Sequence, residues 1–185
     1  MRGNAIPTVF ENARGFLYGD LLSDELCKGR YHGNLILLGD PDSIDNETTE
    51  RYPAVMEKLL KRYGRKGYDD PEKFHCLLTE MGIFDRNSYD RDCAIAFSPE
   101  LELLGAGRYV EGVDTRKLKK SEAMRSAQEI KGGHINGRHL AGLHFSSQNP
   151  ENAAVVMSES GGSIITFVGG DLDQDYSSII SRLQK

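Results

Sequence analysis

Two hydrophobic periods share this chain. Asn34-Leu35-Ile36-Leu37-Leu38 is an unbroken apolar run closed by Gly39-Asp40-Pro41, the pattern of a buried strand. Residues 93–97 and 103–109 form two further strand patterns joined at Ser98-Pro99-Glu100, which predicts a hairpin. Residues 153–157 and 163–168 are two more strand patterns. Helical spacing takes over between them. Val55, Met56, Leu59, Leu60 and Tyr63 fall on one face of a helix over 53–63, stopped by Gly64. Asp70-Pro71 reads as a cap and first turn, followed by Phe74, Leu77, Leu78 and Met81, with Gly82 as the stop. A charged helix is predicted over 115–131, a short helix or turn over 138–145, and a closing helix over 171–183. Residues 40–46 read as an acidic, turn-rich loop, and residues 1–30 as a mixed segment, helical around 16–26. Interleaved strands and helices predict an α/β fold, a central mixed β-sheet flanked by helices. The expected division is an N-terminal helical segment over 1–32 and one globular domain over 33–185.

Composition narrows the chemistry. The chain has 185 residues, enough for one domain with a real core. Its formal net charge of -5 offers no overall basic surface to nucleic acid or membrane. An acidic protein that binds phosphate must do so locally, with Arg, Lys, backbone N–H groups or a metal. No apolar run is long enough to span a bilayer, and the first ten residues lack the apolar centre of a signal peptide. The three cysteines, Cys27, Cys76 and Cys93, have no paired spacing. Reduced thiols and a cytoplasmic location are the expectation.

The residues best suited to a ligand lie late in the chain. Gly137-Arg138-His139-Leu140-Ala141 sets a forked guanidinium, suited to phosphate oxygens, beside an imidazole and a glycine. Ser158-Glu159-Ser160-Gly161-Gly162 ends an apolar strand with a carboxylate able to hold a hard cation, although a plain turn has the same composition. Other patterns lead nowhere. His134, His139 and His144 recur every five residues, which does not place three ligands on one helical face. Gly105-Ala106-Gly107 lacks the third glycine of a dinucleotide fingerprint, since Val110 stands there. The basic run Arg116-Lys117-Leu118-Lys119-Lys120 reads as a solvated helix face.

Taken in order, Asp92-Cys93-Ala94, Gly105-Ala106-Gly107, Gly137-Arg138-His139-Leu140-Ala141 and Val155-Val156-Met157-Ser158-Glu159-Ser160-Gly161 resemble the four ordered motifs of the diadenylate cyclase domain family. In that family the motifs read Asp-Gly-Ala, Ala-Ala-Gly, Gly-Thr-Arg-His-Arg-Ala and Ser-Glu-Glu-Thr-Gly. The resemblance spans about residues 33–172. It implies a domain that binds ATP and condenses two ATP molecules into cyclic di-AMP, with Mn²⁺ or Mg²⁺ as cofactor. It also implies a homo-oligomer in which two sites face each other across a dimer. On the matching positions, Asp92 is implied as catalytic base and metal ligand, and Glu159 as metal ligand. Cys93, Ala94, Gly107, Gly137, Arg138, His139 and Ser158 are implied as nucleotide contacts. Four positions depart from the pattern: Arg91 replaces a histidine, Cys93 a glycine, Gly137 a threonine, and Leu140 the second arginine. These departures leave open a second reading, a catalytically degenerate domain that senses a nucleotide or cyclic dinucleotide. A third is an interaction domain with no ligand.

Overall fold

The computed structural model describes residues 33–87, 93–132, 134–157 and 163–173. The helix expected around 16–26 lies outside them, as does most of the one expected over 171–183, whose first two residues, Asp171 and Leu172, form a strand instead. The centre is a seven-stranded mixed sheet of order β2-β4-β3-β1-β5-β6-β7. The strands are β1 (Asn34–Leu38), β2 (Thr48–Glu50), β3 (Ala94–Phe97), β4 (Leu103–Val110), β5 (Ala153–Met157), β6 (Ile164–Val168) and β7 (Asp171–Leu172). β1 pairs parallel with β3, and every other pair is antiparallel. The six helices among the described residues are α1 (Pro41–Glu47), α2 (Pro53–Tyr63), α3 (Pro71–Asn87), α4 (Thr115–Leu118), α5 (Glu122–Lys131) and α6 (Gly137–Gln148).

The alternation of side chains along each strand divides the core in two. Ile36, Leu38, Ile95, Phe97, Val155 and Met157 face α2 and α3, where Met56, Leu59, Phe74, Leu77 and Met81 cover them. Leu35, Leu37, Ala94, Ala96, Ala154 and Val156 face the other layer, built from Ile44, Met124, Leu140, Leu143 and Phe145. Coverage on both faces is why β1 and β5 read as continuous apolar runs.

The helix predicted over 115–131 is two helices. Ser121 interrupts it: its hydroxyl accepts from Met124 N at 3.2 Å and donates to Leu118 O at 2.7 Å, which closes α4 and caps α5. The expected loop over 40–46 is instead α1, capped by Asp40, which accepts from Ser43 N, with proline in the first turn. α3 runs through Gly82 to Asn87. A buried glycine inside a helix that packs on a sheet is tolerated at a cost of about 1 kcal/mol, which packing offsets.

One polar residue ties three of these elements together. Asn152, 1% exposed, accepts from Ser43 Oγ at 2.9 Å and donates Nδ2–H to Phe145 O at 3.2 Å. Its own carbonyl accepts from Gly169 N at 3.1 Å. Asn152→Leu strands the last-turn carbonyl of α6 and the Ser43 hydroxyl. It is expected to lower stability by about 2–3 kcal/mol, read from urea unfolding, with the slope unchanged. A loss below about 0.5 kcal/mol contradicts this role.

Candidate functional site

The pairing register gathers several chain segments at one end of the sheet. Asn34 pairs with Met157, Leu35 with Ala94, and Ala94 with Arg108. β1 and β3 therefore begin, and β5 ends, on the same side. β3 and β5 flank β1, so their ends stand about 10 Å apart. α6 lies across this sheet with its N-terminus at the same end. A Cβ at Gly142 would stand 3.0 Å from Val156 Cγ2 and 3.3 Å from both Ala154 Cβ and Leu35 Cδ1, so the helix sits close on β5 and β1. Farther along, Phe145 Cζ would lie 3.2 Å from a Cβ at Gly39, beyond the far end of β1. The helix thus points the positive end of its dipole toward the site end.

The short helix or turn predicted over 138–145 is this twelve-residue helix. Asn136 caps it, its side chain accepting from His139 N at 3.4 Å. Gly137 is the first helical residue. Arg138 is 6% exposed, and its guanidinium occupies the space that a Cβ at Gly33 would take. His139 is fully buried. Its Nδ1 lies 2.5 Å from Asn136 Oδ1, a bond that needs the hydrogen on Nδ1. Nε2 is then a buried acceptor, with no hydrogen-bond partner among the described residues. Burial, with Lys131 and Arg138 nearby, lowers the His139 pKa to about 3. The ring is thus neutral at neutral pH and is not poised to shuttle protons there.

That depression makes a test. Below pH 6.5 the unfolded chain takes up a proton that folded His139 refuses, so stability falls as pH drops from 6.5 toward 3. The slope reaches at most about 1.4 kcal/mol per pH unit. His139→Asn keeps a donor for Asn136 and is expected to flatten the loss between pH 6.5 and 5, measured by urea unfolding. Identical slopes in the two proteins would contradict a buried neutral ring.

Cys93 and Ala94, at the start of β3, are buried at 2% and 0% exposure. Gly107 sits in the bulge created when Ala94 pairs with Arg108 and Ile95 with Ala106. It has φ +73°, and a Cβ there would stand 3.0 Å from Tyr52 Cβ. Here glycine answers both the conformation and the close approach of Tyr52. Leu140 packs in the α6 layer of the core at 5% exposure. Asp92, Ser158 and Glu159, with Arg91, lie outside the described residues. The structure therefore brings Cys93, Ala94, Gly137, Arg138 and His139 to one end of the sheet, with Gly107 at the adjoining end of β4. Among the described residues no group of three His, Cys, Asp or Glu could hold a metal ion.

Three residues at this end carried no functional reading in the sequence. Asn136 had a local signal, an Asn-Gly pair before an apolar stretch. Gly33 and Asn34, whose Nδ2–H donates to Leu78 O at 3.3 Å, had none, because their partners are distant in the chain.

No family model matches this chain, and no curated protein matches it. Among solved structures it is similar to a hypothetical membrane spanning protein from Bacillus cereus, with TM-score 0.53 and 15% identity. That likeness covers 86% of this chain and 61% of the Bacillus protein, so the chain spans about three-fifths of that protein's length. It is also similar to a double mutant of DacA from Staphylococcus aureus, with TM-score 0.46 and 19% identity, over 94% of this chain and 89% of that one. Only the first shows a shared fold, and it shows the fold alone. No helix among the described residues is long and apolar enough to cross a membrane.

Proposed function

We propose that this chain is a nucleotide-binding domain of the diadenylate cyclase type, with its site at the sheet end where β1 and β3 begin and β5 stops. One observation carries the reading. The positive N-terminus of α6, with Arg138, converges there with the two strand ends next to Asp92 and Ser158 in the sequence. A helix N-terminus and a forked guanidinium are both suited to phosphate oxygens. Asp92 and Glu159 are hard oxygen donors, the chemistry that Mn²⁺ or Mg²⁺ prefers. When bound, the cation would neutralise phosphate charge and ease deprotonation of the attacking hydroxyl.

In the cyclising reaction a ribose hydroxyl of each ATP bonds to the α-phosphorus of the other, and pyrophosphate leaves with each bond formed. Asp92 takes the hydroxyl proton, Arg138 and Ser158 hold phosphate oxygens, and the α6 N-terminus stabilises the developing charge. Each protomer supplies half of a symmetric reaction, so the active form is a dimer of facing sites. The setting is cytoplasmic, where its cysteines stay reduced.

A second reading has its own support. The family's second arginine position is Leu140, which packs in the core, so that phosphate contact is missing. On this reading the domain binds ATP or cyclic di-AMP without turnover. Incubation with ATP and Mn²⁺, followed by chromatography for cyclic di-AMP, separates the two. Product that disappears in Asp92→Asn is expected from the cyclase, and binding without product from the sensor. Neither product nor binding contradicts both.

A further inference from the structure

We propose that Gly33 is a positioning residue for Arg138, its missing side chain forming the slot that holds the guanidinium at the end of the sheet. For its effect on ATP this rests on the reading above; for the placement of the guanidinium it does not. Gly33 is buried, immediately before β1. A Cβ there would overlap Arg138 Nη1, stand 3.3 Å from Arg138 Cζ, and stand 3.1 Å from Met157 O. At Gly64 and Gly132 an added Cβ would meet nothing within 4 Å, and their positive φ accounts for the residue type. At Gly33 the demand is for space.

The two obstacles to a side chain there differ in kind. The Met157 carbonyl belongs to backbone fixed by the pairing of Asn34 with Met157. The guanidinium is the tip of a flexible side chain. A methyl group at position 33 therefore displaces the guanidinium, while the sheet stays in register. Arg138 then loses its buried seat and its aim toward the strand ends, although its charge and backbone are unchanged. A contact that depends on the direction of a rigid fork is sensitive to a shift of this size.

The test reads the guanidinium directly. Wild type and Gly33→Ala are treated with phenylglyoxal, and the modified arginines are mapped by mass spectrometry. In wild type, Arg138 is expected to be protected relative to exposed Arg116, as is Arg108, whose side chain is 12% exposed and ion-paired with Asp45. In Gly33→Ala, Arg138 should lose its protection while Arg108 keeps it. ATP affinity should fall about tenfold or more, as expected when a charge-assisted contact is misdirected. Continued protection of Arg138 in Gly33→Ala overturns the proposal. Lost protection in a protein whose wild type binds no ATP upholds the slot and contradicts the nucleotide reading alone. If Gly33→Ala fails to fold, the double variant with Arg138→Ala decides. Recovery of folding upholds the slot, because removing the guanidinium relieves the overlap, and failure to recover overturns it.

Discussion

Arg138→Ala is expected to weaken ATP binding about 100-fold, the loss of roughly 2.7 kcal/mol from a forked, charge-assisted phosphate contact in a buried setting. Three features put the effect at the high end. Arg138 is 6% exposed, so bulk water screens its charge little. It is held between the N-terminal turn of α6 and the start of β1, so little ordering is needed on binding. It also adds to the dipole of its own helix. Arg116→Ala, on the exposed face of α4, is the matched control and should change affinity less than about twofold. Calorimetry at constant Mn²⁺ measures both. A loss under about threefold for Arg138→Ala would remove this residue from the site.

Phe145→Ala carries the largest expected effect on stability, about 3–5 kcal/mol. Phe145 is fully buried in the layer between α6 and the sheet, in the same core cluster as Leu37, Leu143, Ala154 and Phe167. The close seat of α6 on β5 and β1 restricts collapse into the resulting cavity. Native stability is typically about 5–15 kcal/mol, so this one change removes a large share of it. In urea the midpoint should fall sharply with the slope unchanged. Ile83→Ala, at a side chain 49% exposed, should stay within about 0.5 kcal/mol of wild type. A Phe145→Ala loss below about 1 kcal/mol would mean that α6 is not packed on the sheet as described.

The elements legible in the sequence are those whose burial imposes a simple period. β1 and β5, covered on both faces, appear as apolar runs, and α2 shows one apolar face. α6 was harder to read because most of it is inside. Its buried residues include Arg138, His139, Gly142 and Ser146, so no clean stripe survives. α1 buries only Ile44, too little to show a period. β2, a three-residue edge strand with a burial pattern of one inside and two outside, falls below any window. It is held by long-range contacts instead: β2 pairs antiparallel with β4, and Arg108 donates to Thr48 Oγ1 at 3.0 Å. The split of α4 from α5 was visible only as Ser121, a cap residue within an otherwise helical stretch.

For the site, motif order singled out Cys93, Ala94, Arg138 and His139, and the structure brings these four to one end of the sheet. The same reasoning treated His139 as a nucleotide contact. Its imidazole is buried and bonded to Asn136, the cap of α6. Leu140 shows the opposite limit. A missing arginine is legible in the sequence, but its replacement by a core residue becomes visible only once α6 is seen packed on the sheet. Gly33 was legible in neither way, because its constraint comes from a side chain more than a hundred positions away.

The most direct test of the account is a calorimetric titration of ATP, with Mn²⁺, into the wild-type protein. Saturable binding is expected with one ATP per protomer and a dissociation constant below about 1 mM, the upper end of the usual range for enzyme substrates. No saturable heat up to that concentration, in protein shown to be folded, would contradict the assignment of a nucleotide site to this end of the sheet.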